Sequence, residues 1–230
     1  MMGAHMNFSK LTRWTLLAGA LAVLSGCASQ VKQMDYSAFK ASHPKSILVL
    51  PPVNNSPDVN ATFSMLSQTT YPLAEAGYYV MPVTLVTETF YQNGLSNPPE
   101  MHAVAPTKLR EIFGADAGLY ITISRYGSTY AVFDSAAVVT ASAELVDLRT
   151  GTSLWRGTAT ASNNEGGNSN SGGLVGMLVT AVVKQIVNSV TDASHPVAGV
   201  TSMRLLSAGQ PNGLLYGPRS PHYGRDGQAR

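Results

Sequence analysis

The sequence predicts an α/β (α+β) domain of three-layer type, with a mixed central sheet, an antiparallel C-terminal meander and flanking helices. Three observations carry this reading. Between residues 46 and 125, short apolar runs alternate with segments of helical period, in the β-α-α-β order of a layered domain. Residues 135–161 then read as two long strands around a tight turn, which extends the preceding strand into an antiparallel meander. Apolar residues make up 44% of the 230 positions and charged residues only 12%, which suits a packed core and not a disordered chain.

Taken from the N-terminus, Lys10 and Arg13 form a basic region, followed by the apolar run Trp14–Leu24 and then Leu24-Ser25-Gly26-Cys27. That run is too short to cross a bilayer of about 30 Å and suits a signal peptide. The quartet resembles the lipobox of bacterial lipoproteins: a large apolar residue, two small ones that admit the peptidase, and a cysteine whose thiol takes diacylglycerol. The resemblance makes residues 1–26 a lipoprotein signal peptide, Cys27 the lipid attachment site, and 27–44 a lipidated tether. No aspartate, the usual inner-membrane retention signal, stands at Ala28 or Ser29. The expected location is therefore the outer membrane, lipid-anchored and facing the periplasm. Residues 1–5 precede Met6, where a conventional signal begins, and take no part in the fold reading.

The domain is expected over residues 45–205. Ser46–Leu50 is a continuous apolar run closed by Pro51-Pro52, as in a buried strand. Residues 59–76 place Phe63, Leu66, Leu73 and Ala74 near one helical face, with a kink or interruption expected at Pro72 and a stop at Gly77. Tyr78–Met81 reads as a second strand. Pro82 and Thr84 open a helix carrying Leu85, Val86, Thr89 and Phe90, and Asn93-Gly94 ends it. Ser96–Ala105, with Pro98-Pro99, reads as a loop, Pro106–Phe113 as a helix stopped by Gly114, and Ala117–Arg125 as a strand. Ser135–Leu148 and Gly151–Ala161 form the hairpin. Asn163–Gly173 is Gly- and Asn-rich and expected to be flexible. In Gly172–Val190, Thr180, Lys184 and Asn188 mark a polar stripe opposite Val175, Leu178, Val179, Val182 and Ile186, which favours a helix packed on the sheet over a membrane span. The remainder from Ser194 reads as partly ordered, with 206–230 a Gly/Pro/Arg-rich tail.

Function classes narrow quickly. Lys10 and Arg13 are the only charged residues before Cys27, so the formal charge of +2 vanishes in the chain that follows, and nucleic acid is not an expected partner. A single cysteine excludes an internal disulfide. The histidines at 5, 43, 102, 195 and 222 show no metal spacing, and His43 and His195 stand beside prolines, as in exposed turns. Gly172-Gly173-Leu174-Val175-Gly176 lacks the Lys-Ser/Thr ending of a phosphate loop. Glu144 and Asp147, three apart on one strand, face opposite ways and cannot share a site. No catalytic residue, metal or cofactor is expected. In the tail, Tyr216, Arg219, Tyr223 and Arg225 have the chemistry of a partner-binding surface, since Tyr and Arg combine contact area with directional bonds.

Two stretches carry a wider resemblance. Residues 144–155 form a hairpin of the pattern LxDxxTGxxxW, in which Thr150-Gly151 supplies the turn and Trp155 plugs the core. Gly114-Ala115-Asp116 is a turn running into a strand. Together with the Ser46–Pro52 strand they resemble periplasmic lipoproteins related to the curli-secretion lipoprotein CsgG and the TolB N-terminal domain. The order lipobox, SILVLPPVNNSPDV, GYYVMP, GADAGLYI and LLYGPRSPHYGRD is more closely similar to an uncharacterised family of Gram-negative lipoproteins. The resemblance implies a role near envelope secretion or assembly systems, with the membrane and envelope proteins such as CsgG-like lipoproteins as partners. It implies no pore, because the long alternating hairpins of the curli channel have no counterpart here.

The first expectation is thus a non-catalytic accessory or scaffold lipoprotein of an envelope secretion or surface-assembly system. The alternative is a lipoprotein activator of a cell-wall synthase, although Ala28–Pro44 spans under about 60 Å when fully extended, which favours a partner near the membrane. A hydrolase would need a convergent polar cleft. A membrane-inserted homo-oligomer would make Gly172–Val190 its working segment.

Overall fold

In the computed structural model, which describes residues 33–131, 134–165 and 193–225, one compact unit begins at Asp35. Its elements are α1 (Ser37–Ser42), β1 (Ser46–Val49), β2 (Val53–Asn54), α2 (Ala61–Ser67), α3 (Thr70–Glu75), β3 (Tyr79–Val80), α4 (Val83–Gln92), α5 (Pro98–His102), α6 (Pro106–Phe113), β4 (Ala117–Ala131), β5 (Asp134–Asp147), β6 (Ser153–Ser162) and α7 (Ser194–Leu206). The strands form one mixed sheet in the order β3-β1-β4-β5-β6, with β2 also on β4. Its first half is parallel: Ile47 pairs with Val80 on one side and Ala117 on the other, and Val53 pairs with Thr122. Its second half is the expected antiparallel meander. β1 and β2 run along the same neighbour and are separated by Pro51-Pro52, whose missing N–H groups cannot join a ladder.

The two faces of β1 explain its continuous apolar run. Leu48 and Leu50 pack with Val86, Phe90, Met101, Leu109, Ala115 and Leu148, the side of α4, α5 and α6. Ile47 and Val49, also fully buried, alternate to the opposite face, where α2 and α7 lie: Tyr126 of β4 donates its hydroxyl hydrogen bond to Ser64 of α2, and Thr201 of α7 donates to the Val139 carbonyl of β5. Beyond the α4–α6 layer, the near face of β4–β6 presents Thr122, Thr140, Ser142, Glu144, Arg156, Thr158 and Thr160, none of them buried.

Four departures from expectation have local causes. The interruption expected at Pro72 falls earlier, at Gln68-Thr69, and divides residues 59–76 into two helices. Pro72 has no N–H for the Gln68 carbonyl, so the chain restarts and places Pro72 in the first turn of α3, where that loss costs little. The stretch read as a loop holds α5, which opens on Pro98-Pro99 in the same favourable position. β4 continues past Arg125 because a bulge at Ser124 inverts the alternation, leaving Ile123 and Tyr126 both buried. Within the remainder from Ser194, α7 buries Val197, Ala198, Thr201, Leu205 and Leu206, a helical face disguised by Pro196 and Gly199. The signal peptide, Cys27 and the helix expected in Gly172–Val190 lie outside the described residues. Among those described, no helix is long and apolar enough to cross a membrane.

His102 shows how tightly α5 is seated. Its Nε2–H donates to the Pro51 carbonyl at 2.9 Å, and its ring meets Tyr120 edge-on at 5.3 Å. Burial pushes the imidazole pKa below 6.5, more than the Pro51 bond raises it. The neutral ring is the form the fold prefers. Its contribution is therefore complete above the ordinary value of 6.5 and is lost as pH falls from there through the lowered value. His102→Gln should flatten the decline in urea midpoint between about pH 7 and pH 5. An undiminished decline would mean that another group is responsible.

Candidate functional site

The C-terminal tail is stitched to the domain by backbone acceptors. Trp155 Nε1 donates to the Asn212 carbonyl at 2.9 Å, Tyr36 Oη to Gly213 at 2.6 Å, and Tyr78 Oη to Leu215 at 2.7 Å. The Gly217 amide then donates to Ala76 O and the Arg219 amide to Gly77 O, at 2.8 and 3.1 Å. Two glycines make this approach feasible. Gly77 has φ +97°, and a Cβ there would stand 2.4 Å from the Ser220 amide nitrogen; a Cβ on Gly217 would stand 2.6 Å from Gly77 O. Leu214, Gly217 and Ser220 are buried in consequence. Residues 207–225, within the stretch expected as a tail, are thus part of the domain surface.

The four tail residues singled out in the sequence separate into two places. Tyr216 and Tyr223 line a cleft of about 310 Å³ together with Phe39, Lys40 and His43 of the α1 segment and Tyr78. The Tyr216 ring lies 5.2 Å from His222, and the Tyr223 hydroxyl is 3.2 Å from His43 Nδ1. Arg219 instead turns to the short edge strand, its guanidinium 5.3 Å above the exposed Tyr79 ring. Arg225 is exposed at the end of the described tail. The α1 side of the cleft went unread because Ser37–Ser42 falls in the stretch assigned to the tether. A signal existed: Tyr36, Phe39 and His43 recur at helical spacing, and Phe39 is buried.

Both sequence motifs turn out to fasten the segment that leads from α1 into β1. Asp116 of the GAD turn accepts hydrogen bonds from the Lys45 and Ser46 amides and from Ser46 Oγ, with Arg110 3.4 Å away. Asp147 of the hairpin accepts from Ser42 Oγ, from the Arg149 and Thr150 amides, and from the Arg149 guanidinium. The two strands meet there, since Ala117 pairs with Asp147. For each carboxyl, burial pushes the pKa up, but the donors just named outweigh it and hold it below the ordinary 3.8. Stability from these groups is present above 3.8 and is lost as pH falls through the lowered folded values. Asp147→Asn should therefore lower the urea midpoint at neutral pH and make the acid limb below about pH 4 shallower. An unchanged acid limb would refute the assignment.

One cluster has the outline of a nucleophile and base. Ser64 Oγ lies 2.8 Å from His195 Nδ1, Tyr126 Oη donates to Ser64 Oγ at 2.7 Å, and Gln68 Nε2 is 2.9 Å from His195 Nε2. The third group is an amide where a carboxylate would be needed, and the Ser64 amide is spent on Asn60 O within the helix start. The cluster ties α2 to α7. It also moves His195 out of the exposed turn expected for it and into the first turn of α7. Among the described residues, no group of three His, Cys, Asp or Glu side chains is placed to hold a metal ion.

The described residues thus form a mixed α/β domain whose first helix and last segment lock together. The chain belongs to the family described as "Putative lipoprotein GNA1162-like", whose model matches residues 34–219. A relative from Neisseria meningitidis serogroup B, "Putative lipoprotein NMB1124/NMB1162", is 52% identical over 207 residues, covering 89% of this chain and 95% of its own. The crystal structure of lipoprotein GNA1162 from Neisseria meningitidis is similar with a TM-score of 0.52 and 57% identity, over 64% of this chain and all of that one. The PelC dodecamer from Paraburkholderia phytofirmans is a more distant likeness, at 16% identity and TM-score 0.41 over 70% of this chain and 86% of that one.

Proposed function

We propose that this chain is a non-catalytic lipoprotein, anchored through Cys27 in the periplasmic leaflet of the outer membrane, that serves an envelope secretion or surface-assembly system as an accessory or scaffold. Membership of a lipoprotein family and the lipobox at Leu24–Cys27 support the anchor. The observation that carries the scaffold role is Arg219 stacked over Tyr79, an exposed Tyr-Arg pair on a two-residue edge strand. Such pairs anchor protein interfaces well, because they combine buried area with directed hydrogen bonds. The kinship with CsgG and TolB N-terminal domains, suggested by the hairpin and GAD turn, belongs to the same proposal and would place a CsgG-like lipoprotein among the partners.

The test is a photo-crosslinking residue at Tyr79 in intact cells, with Cys27→Ala as the mislocalised control. An adduct with an envelope secretion component, absent from the control and weakened by Arg219→Ala, is the expected result. An adduct with a cell-wall synthase would instead establish the activator reading. Self-adducts alone would overturn the scaffold in favour of a homo-oligomer.

A further inference from the structure

The α1 side of the tail carries different chemistry from the Arg219–Tyr79 edge, and its position relative to the anchor is constrained by chain length. Because the compact unit begins at Asp35, only residues 28–34 separate it from Cys27. Eight residue steps, fully extended, reach about 28 Å, roughly half of what a tether ending at residue 44 would allow. With Cys27 lipidated, so short a leash keeps the face around Asp35 within that distance of the bilayer. That face is made of α1 and the tail together, since Tyr36 bonds Gly213 and His43 meets Tyr223.

Its charge differs from the rest of the molecule. Residues 35–45 and 207–225 contain Lys40, Lys45 and Arg225, besides Arg219 which turns to the Tyr79 edge, against the single acidic Asp35, whereas residues 46–206 contain seven basic and eleven acidic side chains. Lys40 and Arg225 are exposed, and neither forms an ion pair among the described residues. Lys40 lines the aromatic cleft and Arg225 directly follows Gly224 of its lining, with Tyr223 46% exposed. Tyrosine rings favour the headgroup level of a membrane, and lysine and arginine near that level favour anionic lipid.

We infer that the α1–tail face docks on the anionic headgroups of the membrane holding the anchor, with Lys40 and Arg225 at lipid phosphates and the Tyr223 ring among the headgroups. This leaves the Arg219–Tyr79 edge for a protein partner. The inference rests on Cys27 being lipidated, and the experiment separates the two claims. Full-length lipidated protein is reconstituted in phosphatidylethanolamine vesicles containing either phosphatidylglycerol or phosphatidylcholine. Flotation reads the anchor, and amide hydrogen exchange over 36–44 and 213–225 reads the docking. Exchange in both segments should slow by about threefold in the phosphatidylglycerol vesicles relative to phosphatidylcholine. The double variant Lys40→Glu/Arg225→Glu should abolish that difference while still floating. Trp155, whose indole holds Asn212, checks by its unchanged emission that the tail of the variant stays clasped. Failure to float would defeat the anchor reading. Flotation with equal exchange in both vesicles would overturn the docking, as would protection that arises only when envelope proteins are added.

Discussion

Gly77→Ala is expected to lower the unfolding midpoint by about 6–12 °C and to free the tail. The added Cβ would fall 2.4 Å from the Ser220 amide nitrogen and 2.7 Å from Ser220 Cβ, inside backbone that has nowhere to move without breaking the Gly217–Ala76 and Arg219–Gly77 hydrogen bonds. Left-handed φ adds strain of about 1–2 kcal/mol for a residue with a Cβ. Together, strain and lost contacts give about 3 kcal/mol, and a domain of this size loses about 2–4 °C per kcal/mol. Gly94 supplies the control. It has φ +81° but nothing within 4 Å of the position a methyl would take, so Gly94→Ala should show the strain alone. Hydrogen exchange over 213–225 should rise sharply in the Gly77 variant and stay unchanged in the Gly94 variant. Equal behaviour of the two would show that the clasp does not hold the tail.

Trp155→Ala should cost about 3–5 kcal/mol, the range for emptying a large buried aromatic site. The side chain is 3% exposed, and its ring lies so close over Gly157 that a Cβ there would meet it at 2.3 Å, with Leu205 of α7 next at 3.2 Å. Trp155 therefore fills the space between an edge strand, α7 and the tail at once. Trp155→Phe keeps most of that volume and loses the hydrogen bond to Asn212, so it should cost only about 1–2 kcal/mol, in part because the Asn212 carbonyl is left unpaired. Urea unfolding followed by circular dichroism measures both variants. A Phe variant as damaged as the Ala variant would shift the weight from packing to the hydrogen bond.

How much was legible depended on whether an element's pattern was local. Ser46–Leu50, the helix at 83–92 and the hairpin around Thr150-Gly151 each announce themselves by period and punctuation within a dozen residues, and the structure has them with ends shifted by one or two positions. α7 was hidden because Pro196, beside His195, read as an exposed turn. Pro196 sits harmlessly in the first turn, and a Cβ at Gly199 would stand 3.2 Å from Gln68 Oε1. The surface at Tyr216 and Tyr223 was visible only as composition. What makes it a place is its meeting with α1, 177 residues away across the Tyr36–Gly213 bond, and no short window of sequence contains that fact. The motif aspartates were noticed as pattern, while their task of gripping residues 42–46 needed the fold.

The joining of α1 to the tail bears on how the protein resists being pulled. Were Cys27 to carry the proposed lipid, a pull on that anchor would enter the folded unit at Asp35. The load passes at once into Tyr36 and its bond to Gly213, and a few residues later into the grips of Asp147 and Asp116 on Ser42, Lys45 and Ser46. Force is thus split between the end of the chain and the middle of the sheet before it reaches β1. A pull at Asp35 would thus be shared between the far end of the chain and the sheet, and not borne by β1 alone.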